Sequence, residues 1–128
     1  MKLLLTVLTT IIFSISIAGE IPYDALAKNF SSQRAGEIIK LGKEKIAITV
    51  YGKTGVYSHQ QGELVLNNFF KANPAQSFKF IFKGKKHGNS SYAIGTYVSD
   101  KSNFRITLQF KLGSEGNYLI ERLTIEKE

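Results

Sequence analysis

Cysteine is missing from the chain altogether, and that absence removes more chemistry than any single residue supplies. Without thiols there are no disulfides, thiolate metal sites, cysteine nucleophiles or lipids attached through an N-terminal cysteine. Burial alone must therefore outweigh the entropy of the chain. Arginine is scarce, confined to Arg34, Arg105 and Arg122. No nucleic-acid-binding motif accompanies the basic residues, so nucleic acid is not an expected partner. A phosphate loop is lacking as well, since Gly52-Lys53-Thr54-Gly55 holds a Lys-Thr pair without the preceding glycines. No nucleophile elbow, internal repeat, low-complexity tract or linker is found, which leaves one domain as the expected organisation.

What the chain does have begins with a leader. Lys2 precedes an apolar run from Leu3 to Ile17, and Ser16-Ile17-Ala18 ends in small residues. That pattern is a secretory signal peptide over residues 1–18, too short to cross a hydrocarbon core of ~30 Å comfortably. The alternative is an uncleaved anchor. Removal leaves residues 19–128, about 110 residues and the usual size of one domain, with no membrane span. A periplasmic, envelope or secreted location follows. The formal net charge of +7 suits solubility and, beyond that, polyanionic partners.

Pro22 with Asp24 and spaced apolar residues predicts a first short helix, and Ser31 to Leu41 a second that stops at Gly42. Ile46 to Tyr51 reads as a strand, with Val56-Tyr57 as its short return. Ser58 with Gln61 makes a capping box for a third helix, whose apolar stripe is Leu64, Val65, Phe69 and Phe70 and which Asn73-Pro74 ends. After Pro74 the pattern alternates with period two through Phe78-Phe80-Phe82, Tyr92 to Val98, Phe104 to Leu112 and Tyr118 to Lys127. Short turns between these runs predict an antiparallel meander with one buried face and one wet face.

Two helices, a hairpin, a third helix and a meander is the element order of the nuclear transport factor 2-like fold, an α+β cone in which a strongly curved antiparallel sheet wraps the helices. At closer range, Gly55-Val56-Tyr57-Ser58, Phe69 to Pro74, Tyr92 to Thr96, Phe104-Arg105-Ile106 and the ending Tyr118 to Lys127 resemble a bacterial exported family, domain of unknown function 4783. The resemblance covers nearly all of the chain beyond the leader. It implies the fold and export, and brings no assigned activity, cofactor or site residue.

Enzymes similar in fold, such as ketosteroid isomerase and scytalone dehydratase, place acids, histidines or tyrosines inside the cone. The face expected to meet the helices is instead Phe78, Phe80, Phe82, Phe104, Ile106, Leu108, Phe110, Leu119, Leu123 and Ile125, which has almost nothing to transfer a proton. His59 and His87 lack metal-site spacing. Asp24 and Asp100 suit a helix start and a turn. No catalytic residue, metal or cofactor is expected, although a carboxylate pair for glycoside hydrolysis stays open.

Tyr51, Tyr57, Tyr92 and Tyr97 are the candidate rim of a pocket for a small or lipidic ligand. The wet face should present Lys79, Lys83, Arg105, Lys111 and Arg122 against Glu126, with Ile81, Tyr118 and Ile120 among them. Mixed basic and apolar groups suggest an interface, for a homodimer or an anionic envelope polymer. The reading is an exported, non-catalytic binding or accessory module. The alternative is a small isomerase- or hydrolase-like enzyme with Tyr or His groups at the cone mouth.

Overall fold

Pro22 opens α1 (Tyr23–Ser31), with Asp24 in its first turn and Leu26 and Phe30, one turn apart, buried beneath it. The computed structural model describes residues 19–128; the leader over residues 1–18 lies outside them. The Ser31 hydroxyl donates back to the Ala27 carbonyl at 2.8 Å, so Ser31 finishes the first helix rather than starting the second. Gln33 then takes a left-handed φ of 57°, which breaks the expected long helix. What remains is α2 (Ala35–Ile39). The Gln33 side chain ties this break down, donating to the Phe70 carbonyl at 3.1 Å and accepting from the Ala75 amide at 3.3 Å.

Gly42 opens β1 (Gly42–Val50) instead of closing a helix. Tyr51 and Gly52 both have positive φ, 52° and 79°, as a tight two-residue hairpin turn requires. The return strand β2 (Lys53–Ser58) is longer than Val56-Tyr57. Ser58 caps α3 (His59–Ala72) through a complete capping box: the Gln61 amide donates to Ser58 Oγ at 3.3 Å, and the Ser58 amide to Gln61 Oε1 at 3.4 Å. Gly62, Leu66, Phe69 and Phe70 form the buried stripe. Leu64 is exposed, because it sits half a turn from Leu66 and Gly62.

After Pro74 come β3 (Ala75–Lys83), β4 (Ser90–Ser99), β5 (Asn103–Leu112) and β6 (Tyr118–Lys127), paired antiparallel in sequence order. β6 then lies parallel to β1. The result is one six-stranded sheet in the order β2-β1-β6-β5-β4-β3, with the helices on its inner face. Among the described residues, the buried core side chains run from Ile21 to Ile125 and form one cluster.

Two β-bulges reset which residues face inward. In β3 the register shifts between Phe80 and Phe82, so Phe80 pairs with Gly95 but Phe82 with Ile94. Phe82 consequently turns outward and Lys83 inward. Where β5 meets β6, Gln109 pairs with Arg122 and Phe110 with Ile120, leaving Glu121 as the extra residue. A one-residue slip sends side chains to the opposite face. Tyr118 and Ile120 are therefore core, with Ile120 only 1% exposed, and neither belongs to the wet face. Leu119, expected inside, is only half-buried.

Candidate functional site

The four tyrosines do not converge on one opening. Tyr97 is 0% exposed and its hydroxyl donates to the Asn73 carbonyl. Tyr51, across the hairpin turn, accepts from Asn73 Nδ2 at 2.9 Å and packs near Phe69 and Phe104. These two tyrosines clamp the end of α3 to the sheet. Burial pushes the Tyr97 hydroxyl up to about 12, since a phenolate would lose its hydration there. Tyr57 pairs with Ile46 in β1 and covers Gly55, where a Cβ would strike the Tyr57 ring. Tyr92 points the other way, onto the outer face.

Inside the cone, aromatic rings pack against one another. Phe30 stacks on Phe78 at 4.7 Å, Phe69 meets Phe104 edge-on at 5.0 Å, and Phe70 stacks on Tyr97 at 5.9 Å. Gly95 lies directly under the Phe78 ring, where no Cβ would fit. Among the described residues the Tyr23 hydroxyl is the one buried side-chain polar atom without a partner. Burial raises its pKa, and the nearby Ser91 hydroxyl works against that shift. His59 is exposed, its Nε2 2.8 Å from the Lys43 carbonyl, and His87 lies in the β3–β4 loop. No group of three or more His, Asp or Glu placed to hold a metal occurs among the described residues.

The outer face is organised by strand register. Phe82, Ile94, Thr107, Thr124, Thr49 and Thr54 are successive cross-strand partners from one edge to the other. Lys79, Arg105, Lys111 and Arg122 stand on this face as expected, and all are exposed. Arg105 is partly neutralised: Glu126 is its cross-strand partner, and Glu128 lies 3.9 Å away. Lys83 leaves the face, its ammonium folding over the Tyr23 ring at 4.9 Å from the centroid. Tyr118 donates to the Gly88 carbonyl at 3.1 Å, holding the β3–β4 loop from within.

Three large apolar side chains are exposed together at the β3–β4 end: Ile81 at 57%, Phe82 at 45% and Tyr92 at 45%. The Phe82 and Tyr92 rings lie 5.2 Å apart. Beside them opens a cleft of about 460 Å³, lined by Lys85, His87, Tyr92, Thr107, Gln109 and Glu121 among others. Tyr92 is thus the one candidate-rim tyrosine in this cleft. Phe82 is the participant that alternation hides, because a bulge leaves no mark in residue type.

A family model described as "Domain of unknown function (DUF4783)" matches residues 23–126. The chain belongs to the DUF4783 family. Crystal structures of two DUF4783 family proteins are similar throughout. The protein from Bacteroides ovatus ATCC 8483 has TM-score 0.78 and 26% identity, covering 86% of this chain and 97% of that one. The protein from Bacteroides fragilis YCH46 has TM-score 0.77 and 28% identity, covering 85% and 100%. More distantly, an NTF-2-like protein of unknown function from Silicibacter pomeroyi DSS-3 matches with TM-score 0.58 at 8% identity, covering 83% and 89%. This DUF4783 chain therefore has the NTF2-like α+β fold. No curated protein matches it.

Proposed function

We propose that this DUF4783 chain is an exported, non-catalytic binding or accessory module of the cell envelope, working through the outer face of its sheet at β3 and β4. The observation that carries the reading is the placement of aromatic residues. Phenylalanine fills the cone, whereas Phe82 and Tyr92 are left bare outside it. Large apolar groups left exposed side by side mark contact with a partner. The leader pattern of residues 1–18 supports export. A second copy of the chain and an anionic envelope polymer are the two occupants that mixed basic and apolar groups would suit. The isomerase- or hydrolase-like alternative gains nothing from the geometry, because the Tyr97 and Tyr118 hydroxyls are engaged by the Asn73 and Gly88 carbonyls and the Tyr23 hydroxyl has no hydrogen-bond partner.

The test uses residues 19–128 and the double variant Phe82→Ser/Tyr92→Ser. Size-exclusion chromatography with light scattering reads self-association, and retention on immobilised alginate or co-sedimentation with anionic vesicles reads binding to an anionic envelope partner. The unchanged chain should show one of these, and the double variant should lose it while unfolding at the same denaturant midpoint. Equal behaviour of the two proteins in every measurement overturns the outer-face reading.

A further inference from the structure

The charges around the exposed aromatic pair are of one sign along the chain. Between Glu63 and Asp100 the sequence carries Lys71, Lys79, Lys83, Lys85 and Lys86 and no carboxylate. This stretch supplies the end of α3, all of the edge strand β3, the β3–β4 loop and β4. Ile81, Phe82 and Tyr92 come from the same stretch. The lone carboxylate lining the adjacent cleft is Glu121, contributed by β6. Two copies meeting symmetrically over Phe82 and Tyr92 would bring these lysines face to face, which counts against the homodimer at this end of the sheet.

Exposed Ile81, Phe82 and Tyr92, combined with the exposed lysines Lys79 and Lys85, have the make-up of a bilayer contact. Aromatic rings settle at the headgroup level, and lysine stems reach lipid phosphates.

We propose that the β3–β4 end of the sheet docks onto an anionic lipid bilayer. Phe82, Tyr92 and Ile81 enter the headgroup layer, while Lys79 and Lys85 contact its phosphates; the Lys86 ammonium is turned away, over the Tyr118 ring at 5.3 Å. This rests on the outer-face reading above and names its partner. The association is weak and reversible, since each surface lysine adds about 1 kcal/mol and the effect is screened by salt.

The experiment uses residues 19–128 so that the leader contributes nothing. The chain has no tryptophan, so Phe82→Trp places a single reporter at the centre of the patch. Vesicles of phosphatidylcholine alone are compared with vesicles also containing phosphatidylglycerol, by co-sedimentation and tryptophan emission. Binding and a blue shift are expected only with phosphatidylglycerol. The double variant Lys79→Gln/Lys85→Gln should lower partitioning by at least about tenfold, and Ile81→Ser/Phe82→Ser should lower it with all charges kept. No binding, equal binding to both vesicles, or binding without a blue shift overturns the proposal. So does retention on immobilised alginate by a chain that ignores vesicles, which would leave the outer face in place with a polymer as its partner. Self-association abolished by Phe82→Ser/Tyr92→Ser, without vesicle binding, would overturn the lipid and keep the surface.

Discussion

Tyr97 shows how one side chain can be misread from sequence and still be decisive. Its small neighbours Gly95 and Ala93 suggest room at a cone mouth, but Gly95 is small because the Phe78 ring lies on it. The hydroxyl is spent on the Asn73 carbonyl, and Asn73 in turn holds Tyr51. Its pKa is raised from 10.0 to about 12, so the unfolded chain releases this proton more readily than the folded one. The contribution to stability is complete below pH about 10 and is lost as pH rises towards about 12. Tyr97→Phe should flatten that alkaline decline. At neutral pH it should cost about 1 kcal/mol for the carbonyl left without its donor. Urea unfolding at pH about 8 and about 11 checks this; parallel declines in both proteins would assign the alkaline loss to other groups.

At the level of elements, the sequence is most legible where local chemistry decides and least where pairing does. Ser58 and Gln61 announce α3 because a capping box is complete within four residues. The meander is legible from its alternation, and so are Phe104, Ile106 and Leu108 as inward residues. Phe82 and Ile120 are not legible, because an inserted residue shifts register without changing composition. The candidate site fails in the sequence for the same reason. Strict alternation back from Leu123 puts Tyr118 and Ile120 on the wet face, a parity that the Glu121 bulge reverses. The β6 register can be tested directly. Ile120→Ala should destabilise the fold by about 2–5 kcal/mol, whereas Leu119→Ala, at a half-buried position, should cost less than about 1.5 kcal/mol. Equal losses would mean that the strand runs through without the bulge.

For the molecule as a whole, the position of β6 matters most. It is the last strand in sequence, yet it sits between β1 and β5 in the middle of the sheet. It carries Leu123 and Ile125 into the core. The hairpin of β1 and β2 has no other strand neighbour, so without β6 it is cut off from the β3–β4–β5 meander. Deleting residues 118–128 should therefore abolish cooperative unfolding altogether rather than lower its midpoint, a difference that denaturant titration followed by circular dichroism would show. A fold whose keystone arrives last cannot close while its C-terminus is still held back. Long-range pairing of this kind is also slow to form. Until β6 is in place, the edge of β1 that it covers presents unpaired N–H and C=O groups, a ready template for a strand from another chain.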